Sequence, residues 1–324
     1  MSEFRKNPLH NKWVLIVPTR GKRPHAFSYE EIQEEKKYNK TCPFCEGNES
    51  MTPSEIDCFR NTGKPDKPGW KVRVFPNIYP ALTRETKIMS GSADKNPDLV
   101  EGYGYHEVIA ETPSHKKNIY SMKQEEILLI LKMYRKRYTI LKKKKHIKCV
   151  FIFKNHGRTA GASLSHSHSQ ILALSITPPF LEEEVNVIKK AKSCIYCRSI
   201  QKAFEDSRVL LENSDFVALA PYASEYPYQL LILPKNHQSF FEKTDDKQLI
   251  SLSDIIKNIF ERYNKLLGNI PFNYFFNTPS SNKAHWNIQI MPKLTIPAGF
   301  EKGTGISINP VPPEEAVLEL KKTQ

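Results

Sequence analysis

The sequence predicts an α+β protein made of two similar units, each an antiparallel sheet with one long helix packed on a face. Three observations predict this fold: motifs that recur at about half the chain length, two amphipathic helices at matching places, and alternating, strand-like segments around each helix. The 324 residues suffice for one large or two medium domains. We expect the units to be residues 1–178 and 179–324.

The repeat consists of four elements that occur in the same order in both halves. Each half has a CxxC pair, a strand ending in a histidine, a long helix, and two further strands that carry an asparagine and a histidine. In the first half these are Cys42 and Cys45, His115, the helix after Ser121, Asn155, and His166-Ser-His168-Ser-Gln170. In the second half they are Cys194 and Cys197, His237, the helix after Asp245, Asn277, and His285-Trp-Asn287-Ile-Gln289.

Both predicted helices carry one apolar face. From Ile127 to Leu141, and again from Leu249 to Leu266, apolar residues recur every three or four positions. Ser121 begins a capping-box pattern for the first helix, Asp245 is an N-cap candidate for the second, and Gly268 is its stop signal.

Composition excludes several protein classes. With 39% hydrophobic and 26% charged residues, the chain is neither disordered nor collagen-like. It has no apolar run near the ~20 residues of a membrane helix, and no apolar segment follows its basic N-terminus, so we expect a cytosolic protein without membrane contact. The net charge of +13 favours anionic partners: nucleic acid, nucleotides or sugar phosphates.

Each half offers two thiols and two imidazoles, which is a standard tetrahedral zinc shell. We therefore predict zinc ligands in both halves, and the first set has the stronger pattern. The first set is Cys42, Cys45, His115 and His166, and the second is Cys194, Cys197, His237 and His285.

His168 has no histidine counterpart, because Asn287 stands at its place in the second half. If His166 binds metal, His168 is a spare imidazole on the same face of one strand. Such a group can attack an electrophile and form a covalent intermediate. Gly157, Gly161, Ser163 and Gln170 add close backbone approach and hydrogen-bond donors, a combination typical of phosphoryl or nucleotidyl transfer.

With these motifs, the chain resembles the galactose-1-phosphate uridylyltransferases of the histidine-triad superfamily. The resemblance extends from Asn7 to Pro310. It is carried by Trp13 to Pro24, Cys42-Pro-Phe-Cys45, Phe75-Pro-Asn77-Ile-Tyr-Pro80, His106 to His115, Asn155 to Ser163, His166 to Gln170, and Ala298 to Pro310.

The resemblance implies ping-pong chemistry in which His168 takes UMP from UDP-glucose and passes it to galactose 1-phosphate. It also implies a homodimer and zinc at the first Cys/His set. The substrate contacts that it implies are Arg20 and Arg23 from the neighbouring subunit, Asn77, Asn155, Gly161, Ser163, Gln170, and Glu301 on the sugar.

Two departures from that family leave an alternative open. Ser167 stands where many members have proline, and the second half has its own CxxC pair. Both features also occur in the similar ADP-glucose phosphorylases, in which the histidine carries AMP and phosphate is the acceptor. A third hypothesis is a nucleic-acid-binding module whose fold zinc stabilises. The aromatic residues follow core spacing rather than forming an exposed stacking platform, so we expect no nucleic-acid partner.

Overall fold

The computed structural model describes residues 2–22, 27, 32, 38–84 and 99–323. Two sheets and six α-helices account for the regular structure of these residues. A small sheet joins β1 (Glu3–Lys6), β2 (Trp13–Ile16) and β13 (Ser307–Asn309), with β1 antiparallel and β13 parallel to β2. The other ten strands form one antiparallel sheet.

The strands of the large sheet come equally from both halves. The first half supplies β3 (Asp57–Arg60), β4 (Trp70–Pro76), β5 (Gly104–Ala110), β6 (Cys149–His156) and β7 (His168–Leu174). The second half supplies β8 (Val209–Glu212), β9 (Phe216–Leu219), β10 (Leu230–Pro234), β11 (Phe272–Asn277) and β12 (Asn287–Pro292).

The order of the strands confirms the internal repeat. It is β3-β4-β5-β7-β6 in the first half and β11-β12-β10-β9-β8 in the second. The equivalent strands therefore occur in reverse order on the two sides of the central β6–β11 pair. At this central pair Asn155 lies opposite Asn273, and the rings of Phe151 and Phe275 stack with centroids 5.4 Å apart. The predicted α+β fold with two similar units is confirmed. Because one sheet crosses the predicted boundary at residue 178, the division into two domains stays a prediction.

Two long helices, α1 (Gln124–Lys142) and α4 (Asp246–Leu267), lie side by side and share one apolar core with the strands of both halves. The predicted apolar faces are buried, apart from the half-buried Leu266. Apolar burial of this kind, at about 25 cal/mol per Å², is the main force that holds helices on a sheet.

The structure confirms the predicted ends of α4, but it places the start of α1 elsewhere than predicted. Asp245 caps α4 by accepting the Gln248 N–H at 2.8 Å, and Gly268 ends it at a φ of 78°. The Ser121 cap predicted for α1 is wrong. The helix begins at Gln124, and the Glu126 carboxylate accepts the Lys123 N–H at 2.9 Å, while the Ser121 hydroxyl bonds the Asn118 carbonyl in the preceding turn.

The four remaining helices are shorter. They are α2 (Pro179–Lys190), α3 (Ile195–Glu205), α5 (Gly299–Thr304) and α6 (Pro313–Lys321). The second CxxC pair lies at the start of α3, with Cys194 as its N-cap residue. No helix in the described ranges has the length and apolarity needed to cross a bilayer.

Candidate active site and metal centres

His168 opens strand β7 and is 6% exposed. Its Nδ1 lies 2.8 Å from the carbonyl oxygen of His166, and because a carbonyl only accepts, Nδ1 carries the proton. Burial lowers the pKa of His168, so the ring is neutral near pH 7. A neutral ring with a proton on Nδ1 has a free lone pair on Nε2, which is the form that a nucleophilic imidazole requires.

The loop before β7 brings the backbone close to this strand. Gly157 has a φ of 82°, and a Cβ built there would lie 2.7 Å from the Pro271 side chain, so no larger residue fits. Gly161 has a φ of 89° and lies near the side-chain nitrogen of Asn155, 3.7 Å from where its own Cβ would be. Ser163 follows on the exposed part of the loop.

Asn155 precedes this loop and Gln170 follows it. The amide oxygen of each side chain already has a hydrogen-bonding neighbour. Gln170 Oε1 lies 2.7 Å from Nε2 of His106 on β5. Asn155 Oδ1 accepts a 2.7 Å hydrogen bond from Nδ2 of Asn273, which the second half contributes through β11. Asn77, at the end of β4, lies 3.2 Å from the same His106 nitrogen.

A buried ion pair between Lys154 and Glu111 lies next to the backbone of His168 and stabilises its position. Lys154 Nζ lies 2.5 Å from Glu111 Oε2 and also donates to Ser167 Oγ at 2.9 Å and to the His168 carbonyl at 3.1 Å. Ser167 donates to the same Glu111 oxygen at 2.8 Å, and Tyr134 donates to the other at 2.7 Å. Burial alone would raise the pKa of Glu111, but the ammonium and the donated hydrogen bonds lower it, so the carboxylate is ionised.

The first predicted metal set converges in the interior. The four ligand atoms of Cys42, Cys45, His115 and His166 lie within 4.8 Å of one another, and all four residues are buried. Cys45 Sγ is 3.4 Å from His115 Nδ1, and His166 Nδ1 is 3.6 Å and 3.7 Å from the two sulfurs. Ligands about 3.3–3.8 Å apart are what zinc bonds of 2.0–2.3 Å in a tetrahedron require. The residues therefore fit a zinc ion.

The ring of His166 is turned so that it can bind a metal. Its Nε2 donates to the Thr112 carbonyl at 2.7 Å, which leaves the Nδ1 lone pair facing the thiols. Burial lowers the pKa of His166 to about 4, so the ring is neutral. The carbonyl of His166 also accepts the hydrogen bond from His168 Nδ1. The metal set and the nucleophile are therefore linked through one backbone group.

The second metal set also converges, but closer to the surface. The four ligand atoms of this set also lie within 4.8 Å of one another, and they belong to Cys194, Cys197, His237 and His285. Cys197 is exposed and His285 is buried. Cys197 Sγ lies 3.2 Å from His285 Nε2, and His237 Nε2 donates to the Asn282 carbonyl at 2.8 Å. This set also fits a tetrahedral metal.

Two other predicted substrate contacts belong to other elements of the fold. Arg20 is in the turn after β2, and Glu301 is in the first turn of α5, where it accepts the Ala298 N–H at 3.0 Å. Within the described ranges, no hydrogen bond links either side chain to His168 or its neighbours. Arg23 lies outside the described residues.

A cavity of about 910 Å³ opens beside the loop of Ser163 and reaches His115. Lys116, His156 and Arg158 also line it, and among the residues that the structure describes no carboxylate does. His168 is not among its lining residues.

Comparison with known proteins identifies the family. Residues 1–178 match the family model described as the N-terminal domain of galactose-1-phosphate uridyl transferase, and residues 120–322 match a domain of unknown function, DUF4921. The chain is 35% identical to the ADP-glucose phosphorylase of Arabidopsis thaliana over 99% of its own length and 92% of the relative's. The chain belongs to the galactose-1-phosphate uridylyltransferase family. It is therefore an enzyme of the nucleotidyltransferase class, as its motifs indicated.

One further relative and one solved structure show the range of the family around this chain. The galactose-1-phosphate uridylyltransferase of Thermotoga maritima is 29% identical over the whole chain and 99% of the relative. A crystal structure of the Arabidopsis ADP-glucose phosphorylase with bound ADP-glucose aligns with a TM-score of 0.82 and 33% identity, covering 99% of both chains. The family resemblance and the fold are thus confirmed, and two activities occur among the relatives.

Four residues near the nucleophile were not predicted from the sequence: His106, Glu111, Lys154 and Asn273. The available signal was a charged or polar residue inside an apolar strand. Lys154, for example, follows Val150-Phe-Ile-Phe153, where an unpaired charge would be costly. Its partner lies 43 positions away, and only the pairing of the strands shows which carboxylate it meets.

We expect Cys42→Ser to lower the zinc content by about one ion per chain and to reduce stability with it, because a metal that binds only the folded state adds its binding energy to folding. Metal analysis of the purified protein and thermal unfolding test this. Cys58→Ser is the matched control, since Cys58 is in neither set. Unchanged zinc content in the Cys42 variant would contradict the assignment of the first set.

Proposed function

We propose that this enzyme transfers a nucleoside monophosphate from a nucleoside-diphosphate sugar through a covalent intermediate on His168. The observation that carries the proposal is the hydrogen bond from His168 Nδ1 to the His166 carbonyl, which leaves Nε2 unprotonated and nucleophilic. Among the predicted substrate contacts, Gln170 is on the same strand as His168, and Asn155, Gly161 and Ser163 are on the adjoining strand β6 and its loop, which supports their assignment. Asn77 lies beside His106 on the neighbouring strand β5.

In the first half-reaction, the Nε2 lone pair attacks the α-phosphorus. A P–N bond forms, the P–O bond to the β-phosphate breaks, and the sugar 1-phosphate leaves. In the second half-reaction, an oxygen of the acceptor phosphate attacks the same phosphorus, and the P–N bond breaks. His168 recovers its lone pair, and the proton stays on Nδ1, hydrogen-bonded to the His166 carbonyl, throughout.

We propose zinc at both Cys/His sets. In the first set, zinc would supply a rigid anchor for His166 rather than a Lewis acid for the reaction. Cys42, Cys45 and His115 would hold His166 in place, and its backbone carbonyl in turn fixes the tautomer of His168.

For the substrates, we favour ADP-glucose with phosphate as acceptor. The Arabidopsis ADP-glucose phosphorylase is more similar to this chain than the Thermotoga uridylyltransferase, at 35% against 29% identity. Uridylyl transfer from UDP-glucose to galactose 1-phosphate, which the motifs first suggested, is the second candidate, because the family model covering residues 1–178 is that of the uridylyltransferases.

Intact-mass spectrometry separates the two candidates. We expect an AMP-sized adduct after incubation with ADP-glucose alone, and its loss when phosphate is added, with release of ADP. A UMP-sized adduct from UDP-glucose, discharged by galactose 1-phosphate and formed without any AMP-sized counterpart, would instead assign uridylyl transfer. The absence of any adduct with either sugar nucleotide would overturn the covalent mechanism.

We also propose a homodimer in which Arg20 and Arg23 reach the phosphate in the partner's site, while Glu301 contacts the sugar. The match of residues 1–178 to the uridylyltransferase family model supports this arrangement. Sedimentation analysis tests the dimer. Mixing Arg20→Ala and His168→Gly chains tests the shared site, because complementation restores activity only if Arg20 acts across the interface. A cytosolic location remains a prediction.

A further inference from the structure

We propose that His106 and Asn273 are positioning residues that fix the amide orientations of Gln170 and Asn155, so that both amides present N–H donors to the substrate phosphates. The inference rests on the proposed function. It assigns the second half of the chain a direct part in building the site of the first, since Asn273 lies on β11.

The tautomer of His106 follows from a backbone N–H group, which can only donate a hydrogen bond. The Ala81 N–H donates to His106 Nδ1 at 3.1 Å, so Nδ1 carries a lone pair and the proton of the neutral ring is on Nε2. Burial lowers the pKa of His106, which agrees with a neutral ring. Nε2 must then donate to Gln170 Oε1 at 2.7 Å, so Asn77 Nδ2, which lies 3.2 Å from the same nitrogen, is a neighbour and not its hydrogen-bond partner.

The consequence for Gln170 is that its amide nitrogen points away from His106. Gln170 follows His168 by two residues on β7, and alternation puts the two side chains on the same face of the sheet. A donor on that face, next to the nucleophile, is suited to a phosphate oxygen whose charge changes during attack.

Asn273 acts on Asn155 in the same way. Its Nδ2 donates both to Asn155 Oδ1 at 2.7 Å and to the Ala160 carbonyl at 2.8 Å, so both of its hydrogens are used and its orientation is settled. Asn155 must therefore present its oxygen to Asn273. Its nitrogen lies next to Gly161, 3.7 Å from where a Cβ of that residue would be.

The second half shows the opposite arrangement at the equivalent residue. Asn277, which corresponds to Asn155 in the repeat, donates its Nδ2 to the buried Glu184 carboxyl at 2.8 Å, and its Oδ1 is buried without a partner among the described residues. Its amide nitrogen is therefore used internally. A free, outward amide nitrogen is a property of the half that carries His168.

The test compares the rate of nucleotidyl-enzyme formation in a single turnover. Asn273→Asp keeps the size of the side chain but removes the donor, so Asn155 must turn its nitrogen inward to pair with the new carboxylate. His106→Leu removes the donor to Gln170. We expect each change to slow adduct formation about 10- to 100-fold, which is less than the roughly 10²–10³-fold cost of deleting an oriented donor because the donor is turned away and not removed.

Double-mutant cycles distinguish positioning from a general structural role. If Asn273 acts through Asn155, then Asn273→Asp has no further effect on the rate in an Asn155→Ala background, and the same holds for His106→Leu with Gln170→Ala. Asn258→Asp, which makes the same change on the distant helix α4, is the control and leaves the rate unchanged. Circular dichroism and melting temperature confirm folding.

Additive effects in both cycles would overturn the inference even if the wild-type adduct forms normally. The absence of an adduct in the wild-type enzyme would instead be the failure of the proposed function. The two failures are therefore distinguishable in one series of measurements.

Discussion

His168→Gly is expected to abolish turnover and the covalent adduct while leaving a folded, metal-containing protein. The glycine removes the only group that the mechanism uses to accept the nucleotide, and losses of at least about 10⁴-fold are typical when a nucleophile is removed. The His166 carbonyl, which accepts the hydrogen bond from His168 Nδ1, belongs to the backbone and stays in place. Initial rates, intact mass and metal analysis together measure the effect.

The matched control is His146→Gly. His146 is exposed and has a φ of 67°, a conformation that glycine adopts readily, so the substitution removes an imidazole without straining the fold. We expect normal turnover from it. Turnover by His168→Gly within tenfold of the wild type would refute a nucleotidyl-histidine intermediate.

Lys154→Met is expected to cost about 3–5 kcal/mol of folding stability, because it leaves the Glu111 carboxylate buried without its cation. Lys154 and Glu111 are almost completely buried, so water cannot replace the lost partner. The variant also loses the donor to the His168 carbonyl. Urea unfolding monitored by circular dichroism gives the stability, and single-turnover kinetics give the effect on His168.

Two further variants make the Lys154 result specific. Lys257→Met removes an ion pair with Glu261 that is 35% and 47% exposed, so it should cost less than about 1 kcal/mol. Glu111→Leu combined with Lys154→Met removes both charges and should recover much of the loss. If Lys154→Met is no more destabilising than Lys257→Met, the buried pair does not contribute as described.

The pair also has a defined dependence on pH. The pKa of Glu111 is lowered in the folded protein, so the stabilisation is complete above the ordinary glutamate pKa of about 4.3 and is lost as the pH falls through the lower, folded value. The difference in stability between Lys154→Met and the wild type should therefore shrink in acid. The decrease should begin above the ordinary glutamate pKa, because burial without the lysine ammonium raises the pKa of Glu111 in the variant.

The fold could be predicted from the sequence because the repeat shows every element twice. A CxxC pair or an apolar helix face alone is weak evidence, but the same order in both halves makes chance unlikely. The joining of β6 to β11 into one sheet could not be predicted in this way. It depends on which strand edges meet, and periodicity says which residues share a face but not which strand lies alongside.

The candidate site was predictable where its chemistry lies in a short stretch, as from Asn155 to Gln170. The ligand sets were found because thiols and imidazoles are rare and recur in both halves. His106 and Asn273 were missed because a single polar residue on a strand is more often half-exposed than functional. Their meaning depends on hydrogen bonds across strands, such as the 2.7 Å contact of Asn273 with Asn155.

The central β6–β11 pair also limits how the protein can associate with itself. The hydrogen-bonding edges of β6 and β11 are used up within the chain, so they offer no template to a second molecule. The large sheet ends instead in β3 and β8, two strands of four residues each, which are too short to favour edge-to-edge growth. Among the described residues, edge-to-edge pairing of this sheet with a second molecule is therefore disfavoured, and this arrangement guards the ten-stranded sheet against aggregation.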